Sequence, residues 1–505
     1  MKSYVAISIV LLCVCIRLEA QNQMSNWFFS DSIHIKFSED TIEVGSLPVY
    51  LSDLTESTNR NYTILSDTSG EIILYKDSYF IYNNIGNVLN EDLFLFSSPL
   101  SNASVIIPVH GSSIVLLLNW DHLTGRISYW QAELNESEGV YNVNYDSCNT
   151  YLDLDSTKAY RLNLMTVKHG NGEDWWVISR IHALIDSLQP FSVRMLNGLE
   201  FENPVYYYTD STLDSKYFQG NQLVFNEEGT QFAVQNSKKV RIYNFDRCTG
   251  VIIPECLIDT LEGFAITSIA YSKSGDYLYV ATDGHHAENL DYVSRIWQFD
   301  IASSGSCEEW EESMQLVYEE SAPYDYWSIN SMLLERISGR IYFSVVRRYM
   351  VLGDDTITGP QNLHLHAIME PNLPGELCNV QENILYLDGM FVSKEGLPNM
   401  PNYALGPLEG SPCDTLNETN SVAEVTTLPF KAYPNPVQDY LYIDNPLQTE
   451  CQAVVYNAMG EEVERLIVQP GGQTVSTTNW PTGIYQLIVQ QENSNIWKQS
   501  VVKME

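Results

Sequence analysis

His364 and His366, in the stretch NLHLHAI, are the first residues of this chain to suggest chemistry. A spacing of two puts both imidazoles on one face of a strand, which is one way to offer two ligands to a metal. No third ligand is spaced to join them, and two half-buried histidines on a strand are the plainer reading. The loop DGHHAENLD carries His285, His286, Glu288 and Asp291, a composition that reads first as a solvated turn and second as a metal site. NYDSCNTYLDLDS is rich in aspartate but lacks the glycine and closing glutamate of an EF-hand loop. No cofactor is expected, with calcium kept open as the alternative. Trp175 and Trp176, in a chain with 32 tyrosines, could offer aromatic faces to a sugar. Packing between strands explains them equally well.

Nucleophilic and nucleotide chemistry lack their local signatures. There is no G-x-S-x-G elbow, no H-E-x-x-H and no P-loop, and in HGNGED the third glycine of a dinucleotide fingerprint is replaced by Trp175. Paired carboxylates for glycoside cleavage are defined by their separation in space, so 64 acidic residues nominate none of themselves. No catalytic residue is named, and a non-enzymatic role is favoured. The acids outnumber 27 basic residues, for a net charge of -37. Such a chain repels phosphate backbones and anionic surfaces, which excludes nucleic acid as a partner.

The elements that would position any site are short strands. Between residues 25 and 415 a polar turn ending in glycine recurs, followed by an apolar, aromatic or β-branched run, as in SDTSGEIILY, DHLTGRISYW, KHGNGEDWWVI, NEEGTQFAV, SKSGDYLYVA and ERISGRIYFSVV. The turn glycines are Gly70, Gly125, Gly172, Gly229, Gly275 and Gly339, at intervals of 55, 47, 57, 46 and 64 residues. That loose period suits four-stranded propeller blades. Six units plus the terminal stretches predict an all-β fold, a β-propeller of seven blades over residues 21–416. A pair of β-sandwiches is the alternative. Strands such as YLYVA carry bulk on both faces, as blades packed between two neighbours require.

Residues 1–20 read as a cleaved signal peptide: Lys2, an apolar run from Val5 to Ile16, and Ala20 before Gln21. A lipoprotein signal at Cys13 or Cys15 is the competing reading, but Leu12 and Val14 stand where a small residue is needed. No other run is long and apolar enough to span a bilayer, so no transmembrane segment is expected. Seven cysteines follow the leader. Candidate disulfides are Cys248 with Cys256, closing a small loop, and Cys378 with Cys413, tying the end of the large domain, although sequence does not set connectivity. Residues 417–429 read as a polar linker. Residues 430–505 then hold alternating strands and turns, enough for a small immunoglobulin-like β-sandwich.

Two resemblances accompany these readings. NWFF, SDTSGEIILYKDSYFIYN, SVIIPVHGSS, GEDWWVI, FDRCTG, SKSGDYLYVA and LPNMPNYALGPLEGSPCDTL occur in the order seen in secreted bacterial proteins with a WD-repeat-like β-propeller, a family with no established activity. LLLNWDHLTG and LGDDTITGPQNLHLHAI depart from that pattern. The tail resembles the type A carboxy-terminal sorting domain of type IX (Por) secretion. The matching residues are Pro434, Asn435 and Pro436 at entry; Tyr456, Asn457 and Gly460; Leu466; Gly483, Ile484 and Tyr485; and Lys498, Val502 and Lys503 at the close. This resemblance implies export to the periplasm, recognition of the tail by the type IX machinery, and a product that is secreted or held at the outer cell surface. The expected function is a binding module for an unidentified protein or glycan. A propeller lyase or hydrolase, or a structural surface-layer component, is the alternative.

Overall fold

The computed structural model describes residues 22–48, 62–77, 79–90, 104–121, 126–135, 137, 139–143, 150–152, 159–182, 191–207, 222–235, 238–259, 261, 265–285, 292–302, 306–322, 326–348, 363–390, 396–414, 430–445, 449–457, 462–491 and 494–504. The signal-peptide reading, the linker, Gly460 and most of the Asp-rich stretch lie outside these residues. The chain forms two compact units, one ending at Asp414 and one beginning at Thr415.

The first unit is a β-propeller. Its described strands form seven antiparallel sheets that follow one another along the chain. Their innermost strands are Asn26–Phe29, Thr63–Ser66, Ser104–Pro108, Ala159–Lys168, Leu223–Phe225, Ala265–Tyr271 and Tyr326–Leu334. Each sheet is a meander stepping outward; the fifth runs Leu223–Phe225, Gln231–Gln235, Val240–Phe245, Ile252–Ile258. The first two sheets have three strands among the described residues, and each later one has at least four.

Burial on both faces explains the strand composition. All four residues of Asn26–Phe29 and of Thr63–Ser66 are buried. In the sixth sheet, Leu278 and Val280 pack toward the fifth sheet, while Tyr279 and Ala281 pack toward the seventh. Among the described residues, side chains join the first and seventh sheets. Trp27 of the first sheet meets Tyr342 of the seventh edge-on at 5.8 Å, and Phe37 lies 5.5 Å from the same ring. Such contacts add to the large apolar area these rings remove from water.

The repeat read from sequence is out of phase at one position. Gly70, Gly172, Gly229, Gly275 and Gly339 each have positive φ in the turn between the first and second strands of a sheet. In the third sheet that turn holds Gly111 instead, and the strand after Gly125, Arg126–Asn135, is the third of its sheet. Two consecutive hairpins of one blade present the same glycine-then-strand signature, so the pattern alone does not say which turn of the meander it marks.

The second unit has a three-stranded sheet (Lys431–Tyr433, Tyr440–Asp444, Gln473–Ser476) and a four-stranded one ordered Glu462–Val468, Cys451–Tyr456, Gly483–Gln491, Ser494–Lys503. They share one core, including Leu441, Ile443, Ala453, Leu487, Val489 and Val501. Strict alternation in Tyr440–Asp444, with Leu441 and Ile443 inward, leaves the other face to solvent.

Candidate functional site

The central channel is where a propeller gathers side chains from every blade, and here the chain's own segment from Gly396 to Cys413 occupies it. Asn399 is the anchor. Its backbone N–H donates to Tyr62 O at 3.0 Å, and its carbonyl accepts from Thr63 Oγ1 at 2.9 Å. Its side-chain amide donates to Ser104 O at 2.9 Å and Leu164 O at 3.2 Å. One residue thereby joins the second, third and fourth sheets. Leu397 N donates to Ser331 Oγ of the seventh, and Asn402 Nδ2 donates to Glu227 O in the first turn of the fifth. The Tyr403 hydroxyl donates to Ile106 O at 2.7 Å, and burial pushes that phenol far above its ordinary pKa.

The plug runs from the beginnings of the inner strands to the turns at their ends. Gly229 and Gly172 mark where it presses closest. A Cβ on Gly229 would lie 2.6 Å from Val167 Cγ2 and 3.0 Å from Leu405 Cδ1. One on Gly172 would lie 2.6 Å from the Pro407 nitrogen. Both positions also have positive φ, so side chains are opposed by backbone and by space.

Arg247, in FDRCTG, locks the exit. Its guanidinium donates to the carbonyls of Lys168, His169, Glu228 and Gly406, and burial lowers its pKa to about 10. Burial, and next the charge of Arg247, bring the neighbouring Lys168 down to about 8. Leu408 N donates to Gly170 O, and a disulfide joins Cys413 to Cys248 in the last turn of the fifth sheet.

The cysteine pairing expected from sequence is corrected. The structure joins Cys248 to Cys413 and Cys256 to Cys307, and leaves Cys378 a buried thiol. Cys248 lies in a turn while Cys256 is well along the strand Ile252–Ile258. At ~3.3 Å per residue the two are too far apart for the ~7 Å Cα limit of a disulfide. Cys378 belongs to the core shared by the sixth and seventh sheets, away from Cys413.

The other sequence candidates do not converge. His366 is buried, stacked on Phe343 at 5.2 Å, with a pKa lowered to about 4 by burial and secondarily by His364. His364 lies against Tyr386 at 5.2 Å. Trp175 donates Nε1–H to Pro108 O and meets Tyr403 edge-on, and Trp176 donates to Arg247 O. Both indoles are buried packing elements rather than a sugar platform. Among the described residues no three His, Cys, Asp or Glu side chains are grouped to hold a metal. His285 ends a described strand, and His286, Glu288 and Asp291 lie outside the described residues.

Sequence reasoning missed Lys76, a fully buried amine whose Nζ donates to Asp77 O and whose pKa burial lowers to about 7. It also missed a tyrosine between two carboxylates. Tyr318 Oη lies 2.9 Å from Glu320 Oε2 and 3.2 Å from Glu382 Oε1, and Glu320 is raised by burial, then by Glu382, against the hydrogen bond. An isolated lysine or glutamate in a strand carries no local signal of either setting. On the turn side of the fifth and sixth sheets a polar groove of about 310 Å³ is lined by Asn226, Glu228, Gln231, Asn244, Ser274 and Asp276.

In the tail the entry and closing residues of the motif meet, whereas Leu466 pairs with Ala453 and Lys498 with Ile488 in mid-strand. Asn435 Oδ1 accepts from Val502 N at 2.9 Å, Val437 N donates to Val502 O, and Val437 bridges Lys503 in parallel. Lys503 in turn pairs with Gly483, and Tyr456 pairs with Gln486. The bonds preceding Pro434 and Pro436 are cis. Tyr485 donates to Pro481 O and packs on Trp480 at 4.9 Å.

Residues 431–503 match the family model of the secretion system C-terminal sorting domain. The match covers the tail alone and indicates type IX export to the cell surface or the medium. No curated protein matches the chain. Among solved structures, a functionally unknown protein from Desulfotomaculum acetoxidans is 11% identical, with 74% of this chain and 99% of that chain covered and a TM-score of 0.37. The Dos1 propeller is 9% identical over 62% of this chain and 82% of its own, with a TM-score of 0.35. An exo-β-1,3-galactanase from Phanerochaete chrysosporium is 7% identical over 81% and 96%, with a TM-score of 0.31. Among the described residues no helix is long and apolar enough to cross a membrane.

Proposed function

We propose that the delivered protein is a binding module whose propeller recognises a protein or glycan on an end face of the ring, and that it has no reaction centre in its channel. The observation carrying this reading is the plug. The space in which blades converge acidic or basic groups on a substrate is occupied by Asn399, Tyr403 and their neighbours, hydrogen-bonded to the inner strands. The polar groove beside Glu228 and Asp276 suits ligands rich in hydroxyl or basic groups. On this reading residues 1–20 are a cleaved leader, the machinery recognises the end of the tail where Asn435, Gly483 and Lys503 meet, and the product works outside the cell.

The test is a glycan array and a surface-protein binding screen with the purified protein, followed by substrate-turnover assays on every glycan bound. Saturable binding without turnover is the expected result. Cleavage of a bound glycan, lost on substitution of an end-face carboxylate, would overturn it.

A further inference from the structure

Lys168 closes the innermost strand of the fourth sheet, and its side chain shares a face with Trp175, directly opposite on the second strand. That face turns toward the third sheet, where the Trp175 indole donates to Pro108 O. The Lys168 Nζ lies over this indole, 5.6 Å from the ring centroid, and the residue is half-buried rather than sealed from solvent. Among the described residues no hydrogen-bond acceptor or counter-ion reaches the amine.

Other described lysines are held differently. Lys36 pairs with Glu71 and Lys239 with Asp259, while Lys76, Lys273 and Lys503 donate to carbonyls. Near Lys168 the carboxylate of Glu173 is turned to His110, at 3.4 Å. On the other side of the strand the Arg247 guanidinium donates from Nε to Lys168 O, and all its hydrogen bonds end on carbonyls. Two cations thus flank one peptide with no carboxylate in ion-pair reach, in a chain of net charge -37. Burial and then the Arg247 charge favour the neutral amine, the form with a lone pair to share, and Glu173 opposes them from further off.

We propose that Lys168 is a covalent modification site, a nucleophilic amine beside the turns of the third and fourth sheets that condenses with aldehydes. The Nζ lone pair attacks the carbonyl carbon, and the carbonyl π pair moves onto oxygen. A proton passes from nitrogen to that oxygen to give a carbinolamine, and loss of water leaves the imine. Nothing is oxidised or reduced, and no co-reactant beyond the aldehyde is required. The adduct is stoichiometric, so it gives the propeller a covalent attachment point without turnover. At a pKa of about 8, roughly a quarter of the amine is neutral at pH 7.5, against about a thousandth at the ordinary 10.5. Lower basicity takes back about tenfold of that ~250-fold gain, as it does for other nucleophiles, leaving roughly twentyfold before burial slows access.

The test treats the full chain with acetaldehyde and cyanoborohydride, which traps each imine as an ethylamine, and follows every lysine by peptide mass spectrometry. Lys431, which is exposed, serves as the internal reference. At pH 7.5 Lys168 should be modified about five- to twentyfold faster than Lys431. The ratio should shrink as pH rises toward 10, where the reference amine also becomes neutral. In guanidinium chloride, with the chain unfolded, it should fall to about one, because the setting that frees the lone pair is then lost. Lys168 modified no faster than Lys431 at pH 7.5, or a ratio that survives unfolding, would overturn the proposal.

Discussion

Asn399→Ala is the sharpest perturbation of the plugged ring. The substitution removes the amide that donates to Ser104 O and Leu164 O, both in buried surroundings. It leaves the two backbone bonds at Tyr62 and Thr63 in place. A buried polar group left without its partner costs roughly 1–3 kcal/mol, so the two carbonyls left unpaired put the expected destabilisation at roughly 2–6 kcal/mol. Asn402→Ala, which loses a partly buried bond to Glu227 O and the one its Oδ1 accepts from Ala404 N, should cost about 1–2 kcal/mol and serves as the comparison within the same segment. Urea unfolding followed by tryptophan fluorescence is the assay. Trp175 lies 6.0 Å from Tyr403, so it reports on the plug as well as on the ring. The midpoint should fall in the order wild type, Asn402→Ala, Asn399→Ala, with the slope unchanged. An Asn399→Ala protein as stable as the Asn402→Ala variant would refute the anchoring role and, with it, the occupied channel on which the proposed function rests.

Other outcomes follow from the same geometry. Non-reducing peptide mapping should recover Cys248 linked to Cys413 and Cys256 linked to Cys307. Loop-closure entropy over separations of 165 and 51 residues gives losses of about 5 and about 4 kcal/mol on removing each by paired serine substitution, as upper estimates. Removing the first pair alone should expose the segment after Gly396 to limited proteolysis. His366 has a folded pKa lowered to about 4 against 6.5 unfolded, so the unfolded chain binds more protons between these values and stability falls as pH drops from 6.5 to 4. His366→Phe should remove a share of up to roughly 3 kcal/mol of that acid loss, read as the difference between the two proteins' pH–stability curves. Deleting residues 432–505 should hold the protein in the periplasm; fractionation that finds the truncated chain at the surface would count against tail-directed export.

Much of the architecture is legible locally. The recurrence of polar turn, glycine and two-faced strand announces blades because antiparallel hairpins need positive φ at their turns and because a blade is covered on both sides. The tail is legible for a similar reason: the order of its turn and strand motifs is a property of adjacent residues. The phase error at the third sheet shows the limit of such reading, since Gly111 lies in the first turn of that sheet while the strand that follows Gly125 in sequence is its third, and the two stretches have the same local chemistry.

The plug lies beyond that limit. LPNMPNYALGPLEGSPC is visible in the sequence only as an irregular stretch shared with a resembling family. Its meaning comes from partners 336, 295 and 235 residues away, at Thr63, Ser104 and Leu164. The cysteines obey the same rule: Cys256 lies well along a strand that leads away from the turn holding Cys248, so these sequence neighbours cannot meet, while Cys413 reaches Cys248 because the plug carries it through the ring. Sequence alone determined the strand-and-turn alphabet and the export tail, because each is encoded in short-range pattern. Only the tertiary structure decided what fills the channel and which thiols pair, because closing the ring juxtaposes groups that no local pattern relates.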